Sequence, residues 1–294
     1  MSAANVSTFW TLPFAQLRRN RLFYLYYDTF YGIASVLTIV ALLLMGHRGI
    51  YGEGALIHHF AWWHLAFLPL VAYVIVLGHV FAHVCTHGSL PRPLNRIVGE
   101  ICGIIVLTRF ASWEVVHQRH HRYSDDPQND PHPALPSYLK HFKLTVVNVE
   151  KQLMATYFEL YGDTPETRAF ERRRAYVSYA TNLLLIGAWF TLLGPIAFFA
   201  FFVPASIYGA FHLIHFNWCT HNAVSPEMDY KPVNLNHGLY KLGNKLCFGI
   251  YMHANHHKWP TVLNPATCKN SLPVHPAPTR ESLAAWRALK KRVA

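Results

Sequence analysis

Residues 175–226 run without a single Asp, Glu, Lys or Arg. A charge-free stretch of that length must be buried on every side or lie in lipid. At about 1.5 Å per helical residue it is long enough to cross a hydrocarbon layer of roughly 30 Å twice. Gly194-Pro195 interrupts it near the middle of its apolar part, so it reads as two helices, about 176–193 and 196–217, joined by a tight turn. Two more runs have the length of a span. Residues 22–45 carry one charge, Asp28, and residues 60–82 carry none but are punctuated by His64, Pro69 and His79. Residues 97–108 are apolar but short, which suits an interfacial or re-entrant segment. The expectation is an all-α, multi-pass membrane protein with about four transmembrane helices, forming one domain over residues 1–294.

Charge supplies the orientation. Only 14% of the 294 residues are charged, against roughly 25% in an average soluble domain. The net charge of +11 could suit nucleic acid, but the basic residues cluster between apolar runs, as they do when they fix membrane topology. Three precede the first run, twelve lie between the second and third, and ten follow the last; the first two runs are joined through Arg48 alone. Cationic loops stay on the cytoplasmic side. Both termini and the long middle loop are therefore expected there, the loop and tail forming a helical cap. The tail from Pro260, rich in proline, should be largely extended before a short helix near 280–292. Cys85, Cys102, Cys219, Cys247 and Cys268 form no CxxC pair, which argues against a disulfide framework or a zinc ribbon.

Twenty histidines fall largely into clusters. His83-Val-Cys-Thr-His87 ends the second run, with His79 one turn earlier. His117-Gln-Arg-His120-His121 lies in the middle loop, and His253-Ala-Asn-His256-His257 in the tail. Asn217-Trp-Cys-Thr-His221 ends the fourth helix, close to His212 and His215. Side chains three or four apart share a helix face, so each group can present its imidazoles together. Imidazole is the commonest metal ligand near neutral pH and suits Zn, Cu, Fe and Ni. Nine such ligands exceed the four that a tetrahedral zinc takes, and two ions sharing the set is the natural count. His79 is read as a packing residue behind the metal, with ligation the alternative. His212 and His215 are read as buried polar groups. His47, His58, His59 and His64 belong to the opposite side of the membrane and are assigned structural or interfacial roles.

The three boxes, in this order, resemble those of the integral-membrane fatty acid desaturases and their related hydroxylases, over roughly residues 60–265. His83-Val-Cys-Thr-His87-Gly-Ser is similar to the family's HxxxH box, although Val84 stands where an acidic or small residue is usual. The HxxHH groups at His117 and His253 resemble the second and third boxes. Asn217-Trp-Cys-Thr-His221 looks like the NxxxH element of acyl-CoA desaturases. The resemblance implies a non-haem di-iron centre using O2 as co-substrate. Its ligands would be His83, His87, His117, His120, His121, His221, His253, His256 and His257, with Asn217 acting through water and His79 as an additional candidate. It is family membership, not spacing, that selects iron over zinc. A protein side chain cannot remove hydrogen from an unactivated C–H bond as acid or base, whereas a bound metal can carry that chemistry. Glu114, three residues before His117, could orient a ligand imidazole or simply pack or cap locally. Asp125, Asp126 and Asp130 are read as turn formers beside Pro127 and Pro131.

A long acyl chain would fit an apolar tunnel, which Trp113, Trp218 and Trp259 could wall; an aromatic belt is the plainer reading. Arg168, Arg172, Arg173 and Arg174 could grip the phosphate of an acyl thioester, or meet lipid headgroups. There is no His-Pro-Gly-Gly of a fused cytochrome b5 and no GxGxxG. The resemblance implies a separate electron donor, cytochrome b5 or ferredoxin with its reductase, and a substrate linked to CoA, carrier protein or lipid. The same centre could hydroxylate, form an acetylenic bond or decarboxylate. A non-enzymatic metal-binding or transport protein is the competing class, but transporters place polar ligands within spans near the midplane. No nucleic-acid partner is expected.

Overall fold

In the computed structural model, residues 20–221 and 231–293 are described. Among them the chain is helical, with isolated β-bridges and no strand. The helices are α1 (Phe23–Leu44), α2 (Leu68–Cys85, entered through a 3-10 turn at Trp62–Phe67), α3 (Leu94–Ile105), α4 (Phe110–Arg122) and α5 (Tyr138–Tyr161). They continue with α6 (Pro165–Ala197), α7 (Val203–Thr220), α8 (Gly238–Leu246), α9 (His253–Lys258) and α10 (Arg280–Val293). Among the described residues, three helical segments are long and apolar enough to cross a membrane: Phe23–Leu44, Trp62–Cys85 and Pro165–Thr220. The twelve residues of α3 are too few for a span.

The last segment is not one rod. Gly194 adopts φ 73°, ψ 166°, outside helical geometry, immediately before Pro195. Thirteen helical residues should separate Trp189 from Phe202 by about 20 Å, yet their rings stack with centroids 5.0 Å apart. The chain therefore folds back at Gly194, where the sequence expects its turn. A break inside an apolar helix frees carbonyls that lipid cannot satisfy. Here the loop after α1 supplies the donors: Ile50 N–H bonds Leu193 O at 2.9 Å, and the His47 ring bonds Leu192 O from Nε2 at 2.7 Å. That gives His47 a structural role. Beyond the break, Pro195 and Pro204 each remove a donor, and the ladder shifts to a π turn over Phe198–Phe202.

One difference concerns where α6 begins. Thr164 caps it, its hydroxyl accepting from Thr167 N–H at 3.3 Å, and Pro165 stands in the first turn. The charged residues 166–174, expected ahead of the helix, are thus its first turns. Arg174 and Glu171 are buried and paired at 3.0 Å, and Arg168 pairs with Asp163. Arg172 and Arg173 remain exposed.

The chain divides into two compact units. The first comprises Met1–His79, Glu100–Val115 and Met154–Gly209. Its apolar core joins Ile75, Val106, Phe198, Phe202 and Ala205. Its polar interior is paired: Arg109 Nε meets Asp28 Oδ1 at 2.8 Å with both side chains buried, and Tyr27 and Tyr31 donate to Glu100 Oε2. Breaking a buried ion pair from one side costs about 3–5 kcal/mol. Asp28→Ala is expected to lower the thermal unfolding temperature of detergent-solubilised protein by several degrees, read by size exclusion after heating. An unchanged midpoint would mean the pair is not structural. This unit also holds an apolar cavity of about 330 Å³, lined by residues including Phe30, Ile104, Leu185 and Trp189.

The second unit comprises Val80–Gly99, Val116–Leu153 and Ala210–Ala294. It contains every residue of the histidine groups described next. Its tail passes through a 3-10 turn at Pro265–Thr267 and ends in α10.

Candidate metal centre

The two HxxHH sequences lie on short helices, α4 and α9, and the helical period decides what each histidine can do. Residues i, i+3 and i+4 share one face, but i+3 and i+4 sit about 100° apart around the axis, so adjacent histidines can turn to different partners. On α4, His117 and His121 bring their Nε2 atoms to 3.1 Å; on α9, His253 and His257 do the same at 3.1 Å. The odd members, His120 and His256, go elsewhere. His256 Nε2 lies 2.8 Å from His83 Nε2 and 3.1 Å from His121 Nε2, and His87 Nε2 lies 2.8 Å from His117 Nε2. One set is therefore His83, His87, His117, His121 and His256. The other is His120, His221, His253 and His257, with His221 Nε2 and His253 Nε2 at 3.1 Å. Each HxxHH gives a pair to one set and its single histidine to the other. The sets adjoin: the His121 and His257 rings stack at 4.1 Å, and those of His253 and His256 at 5.3 Å.

This is a donor set for cations. A neutral imidazole Nε2 carries either one proton or one lone pair. Several such atoms at mutual distances near 3 Å, mostly buried, repel one another or leave lone pairs unmet. His120 Nε2 is fully buried and has no hydrogen-bond partner. A shared cation answers both problems. Nitrogens about 2.1 Å from an ion lie roughly 3.0 Å apart at right angles and roughly 3.4 Å apart in a tetrahedron. The observed 2.8–3.1 Å lies near the separations that a shared ion imposes on its donors. Nine imidazoles in two adjoining sets thus fit a pair of metal ions. Electrostatics agrees, because only neutral imidazole ligates. Burial, then the neighbouring imidazoles, pushes the pKa of His117, His120, His253, His256 and His257 well down. Burial takes His87 to about 4.

Carboxylates hold two of these rings. His120 Nδ1 donates to Asp130 at 2.9 and 3.0 Å, and His221 Nδ1 to Asp125 Oδ2 at 2.7 Å. With Nδ1 occupied by its proton, each ring offers its Nε2 lone pair. The turn reading holds for Asp126, whose Oδ1 accepts from Gln128 and Asn129 N–H, and for Asp130, whose Oδ1 accepts from His132 N–H two residues on; the sequence reading missed that Asp125 and Asp130 also face histidine rings. The loop is anchored by α5: Asn148 donates to Asp130 O at 2.9 Å, and Gln152 to Gln128 O at 2.7 Å. Burial raises Asp130 to about 7 against the backbone N–H groups of His132 and Asp125.

The remaining candidates fall as follows. Asn217 Nδ2 lies 2.7 Å from His132 Nδ1, and the His132 ring sits 4.1 Å from that of His120. His132, absent from the sequence-derived set, forms a further group with His120 and Asp130. His79 is not among the grouped donors; it lies in the first unit beside Gly209. His212 meets the Tyr251 hydroxyl at 3.2 Å. Glu114 is buried one turn before His117. Trp218 donates to Leu135 O at 2.6 Å, Trp259 carries Lys258 Nζ over its ring at 4.8 Å, and Trp113 is half-buried in the first unit. None of the three lines the 330 Å³ cavity.

Asn255, between the histidines of the third box, is a hub that spacing alone does not reveal. Fully buried, it donates to Pro265 O and Ser271 and exchanges bonds with Asn234 at 3.0 and 3.1 Å. Those bonds fix a helix of only six residues, too short to stand alone. Asn255→Ala is expected to lower bound metal in protein that still inserts; full metal content by elemental analysis would contradict that role.

Comparison with curated proteins and with solved structures gave no match. The model of one family, fatty acid desaturase, matches residues 60–265, a span that takes in all nine clustered histidines, and on that match the chain belongs to the fatty acid desaturase family.

Proposed function

We propose that this chain is a membrane fatty acyl desaturase, inserting a double bond into a fatty acyl chain with O2 at a histidine-held pair of iron ions. The observation that carries the reading is the sorting of nine imidazoles into two adjoining sets, in a chain of the fatty acid desaturase family. Bound iron would supply the power to activate O2 against an unactivated C–H bond. The protein's own part is placement. His83, His87, His117, His121 and His256 would hold one ion; His120, His221, His253 and His257 would hold the other. Asp130 and Asp125 keep the protons of two ligand rings on Nδ1, away from the metal. The rings of His83, His117, His120, His221, His253 and His256 are buried, which limits the access of water to the sets.

The apolar segments and the fold-back at Gly194 support four crossings, and the basic loops support a cytoplasmic placement of termini and site. Trp113, Trp218 and Trp259, each close to a box in sequence, are proposed to wall the acyl path. Electrons would come from a separate carrier, cytochrome b5 or ferredoxin with its reductase, and the acyl chain would arrive on CoA, carrier protein or lipid. The test is gas chromatography–mass spectrometry of total fatty acids from cells expressing the chain beside cells without it. New unsaturated chains are the expected result. Hydroxylated, acetylenic or chain-shortened products would instead assign oxygen insertion or another oxidative outcome to the same centre. An unchanged lipid profile from protein that holds iron and receives electrons in vitro would overturn the reading.

A further inference from the structure

The two sets are not supported alike. In the set of His120, His221, His253 and His257, two rings are backed by carboxylates, His120 by Asp130 and His221 by Asp125. In the other set, the hydrogen bonds of His83, His87, His121 and His256 run to imidazoles. The two carboxylates are fixed. Asp130 is fully buried and accepts the backbone N–H groups of Asp125 at 2.6 Å and His132 at 2.9 Å. Asp125 adopts φ 62° and takes the Ala134 N–H at 3.3 Å. Neither can turn away without breaking its loop. A carboxylate on Nδ1–H orients a ligand imidazole and raises its basicity, and losing such a partner weakens metal binding about 10–100-fold.

We infer that Asp125 and Asp130 make the two metal positions inequivalent, so that the His120/His221/His253/His257 position binds its ion more tightly and fills first. This rests on the two-ion reading above. Asp125 and Asp130 are positioning residues: they touch the ligands and act on the metal through them.

The test uses the full-length protein in detergent, stripped by chelator and titrated with Co(II), following visible absorption and bound cobalt together. The wild type is expected to take up two ions in two phases. Asp130→Asn and Asp125→Asn, which keep shape and lose charge, should each weaken the first phase about 10–100-fold and leave the second unchanged. His87→Ala should remove the second phase and spare the first. Asp126→Ala, which loosens only the turn, should leave both intact and so separates positioning from folding of the loop. Two ions bound with one common affinity, or an Asp130→Asn titration that weakens both phases equally or neither, would overturn the inference while leaving the two-ion reading standing. A wild type that binds no cobalt would overturn both.

Discussion

Replacing His120 with alanine is expected to abolish oxidation of the acyl chain and to release one of two bound ions, while membrane insertion is retained. His120 is the ring for which the structure offers least alternative use. It is fully buried, its Nε2 has no hydrogen-bond partner, and its Nδ1 proton is held by Asp130. Deletion removes one of four donors from its set and strands the Asp130 carboxylate without the ring it faces. Loss of a group that only orients a ligand costs about 10–100-fold, so loss of the ligand itself should exceed that. Product analysis with a labelled acyl substrate, together with iron per chain, gives the answer. Wild-type turnover in His120→Ala would remove this set from the reaction. His58, exposed and remote in sequence from the boxes, provides the control: His58→Ala should change neither product nor iron.

The sequence makes much of this legible because its strongest signals are local. Charge-free length marks the apolar helices, Gly194-Pro195 marks the fold-back, and the HxxHH spacing marks clustered imidazoles, since all three depend on residues within a turn or two. Register in the first box also follows from proximity, with His83 and His87 in the donor set and His79 outside it. What stays hidden is long-range. Nothing in His117-Gln-Arg-His120-His121 states that its pair will share a set with the single histidine of the third box, because that depends on how α4 meets α9. Asp126 and Asp130 obey the turn signal of their Asp-Pro dipeptides, but nothing local marks Asp125 and Asp130 as facing histidines. Their role as imidazole acceptors arises from the tie between the loop and α5 through Asn148 and Gln152. Asn255 is masked by the histidines around it; only its partners, Asn234 and the Pro265–Ser271 turn, reveal what it does.

The second large effect is expected far from the histidines, at Gly49→Ala. Gly49 has φ +88°, a conformation costing an L side chain about 1–2 kcal/mol. That strain alone would be tolerable. The added Cβ, however, would stand 2.5 Å from Gly194 Cα and 2.8 Å from Leu193 O, backbone atoms that no rotamer change can move. Separation of the two segments would break the bonds from Ile50 N–H and the His47 ring to Leu193 O and Leu192 O. Those carbonyls belong to a helix broken within an apolar segment, where each unmade bond costs about 1–3 kcal/mol or more. Strain, overlap and two lost bonds together exceed about 3 kcal/mol. Gly46→Ala separates these causes: Gly46 has φ +70° but nothing within 4 Å of where an added Cβ would stand, so only strain should register. Thermal unfolding of the two variants in detergent should show Gly46→Ala slightly lowered and Gly49→Ala severely so, or recovered only as aggregate. Equal midpoints would mean that the close approach of Gly49 to Gly194 does not hold the fold-back, and that the broken helix finds its donors elsewhere.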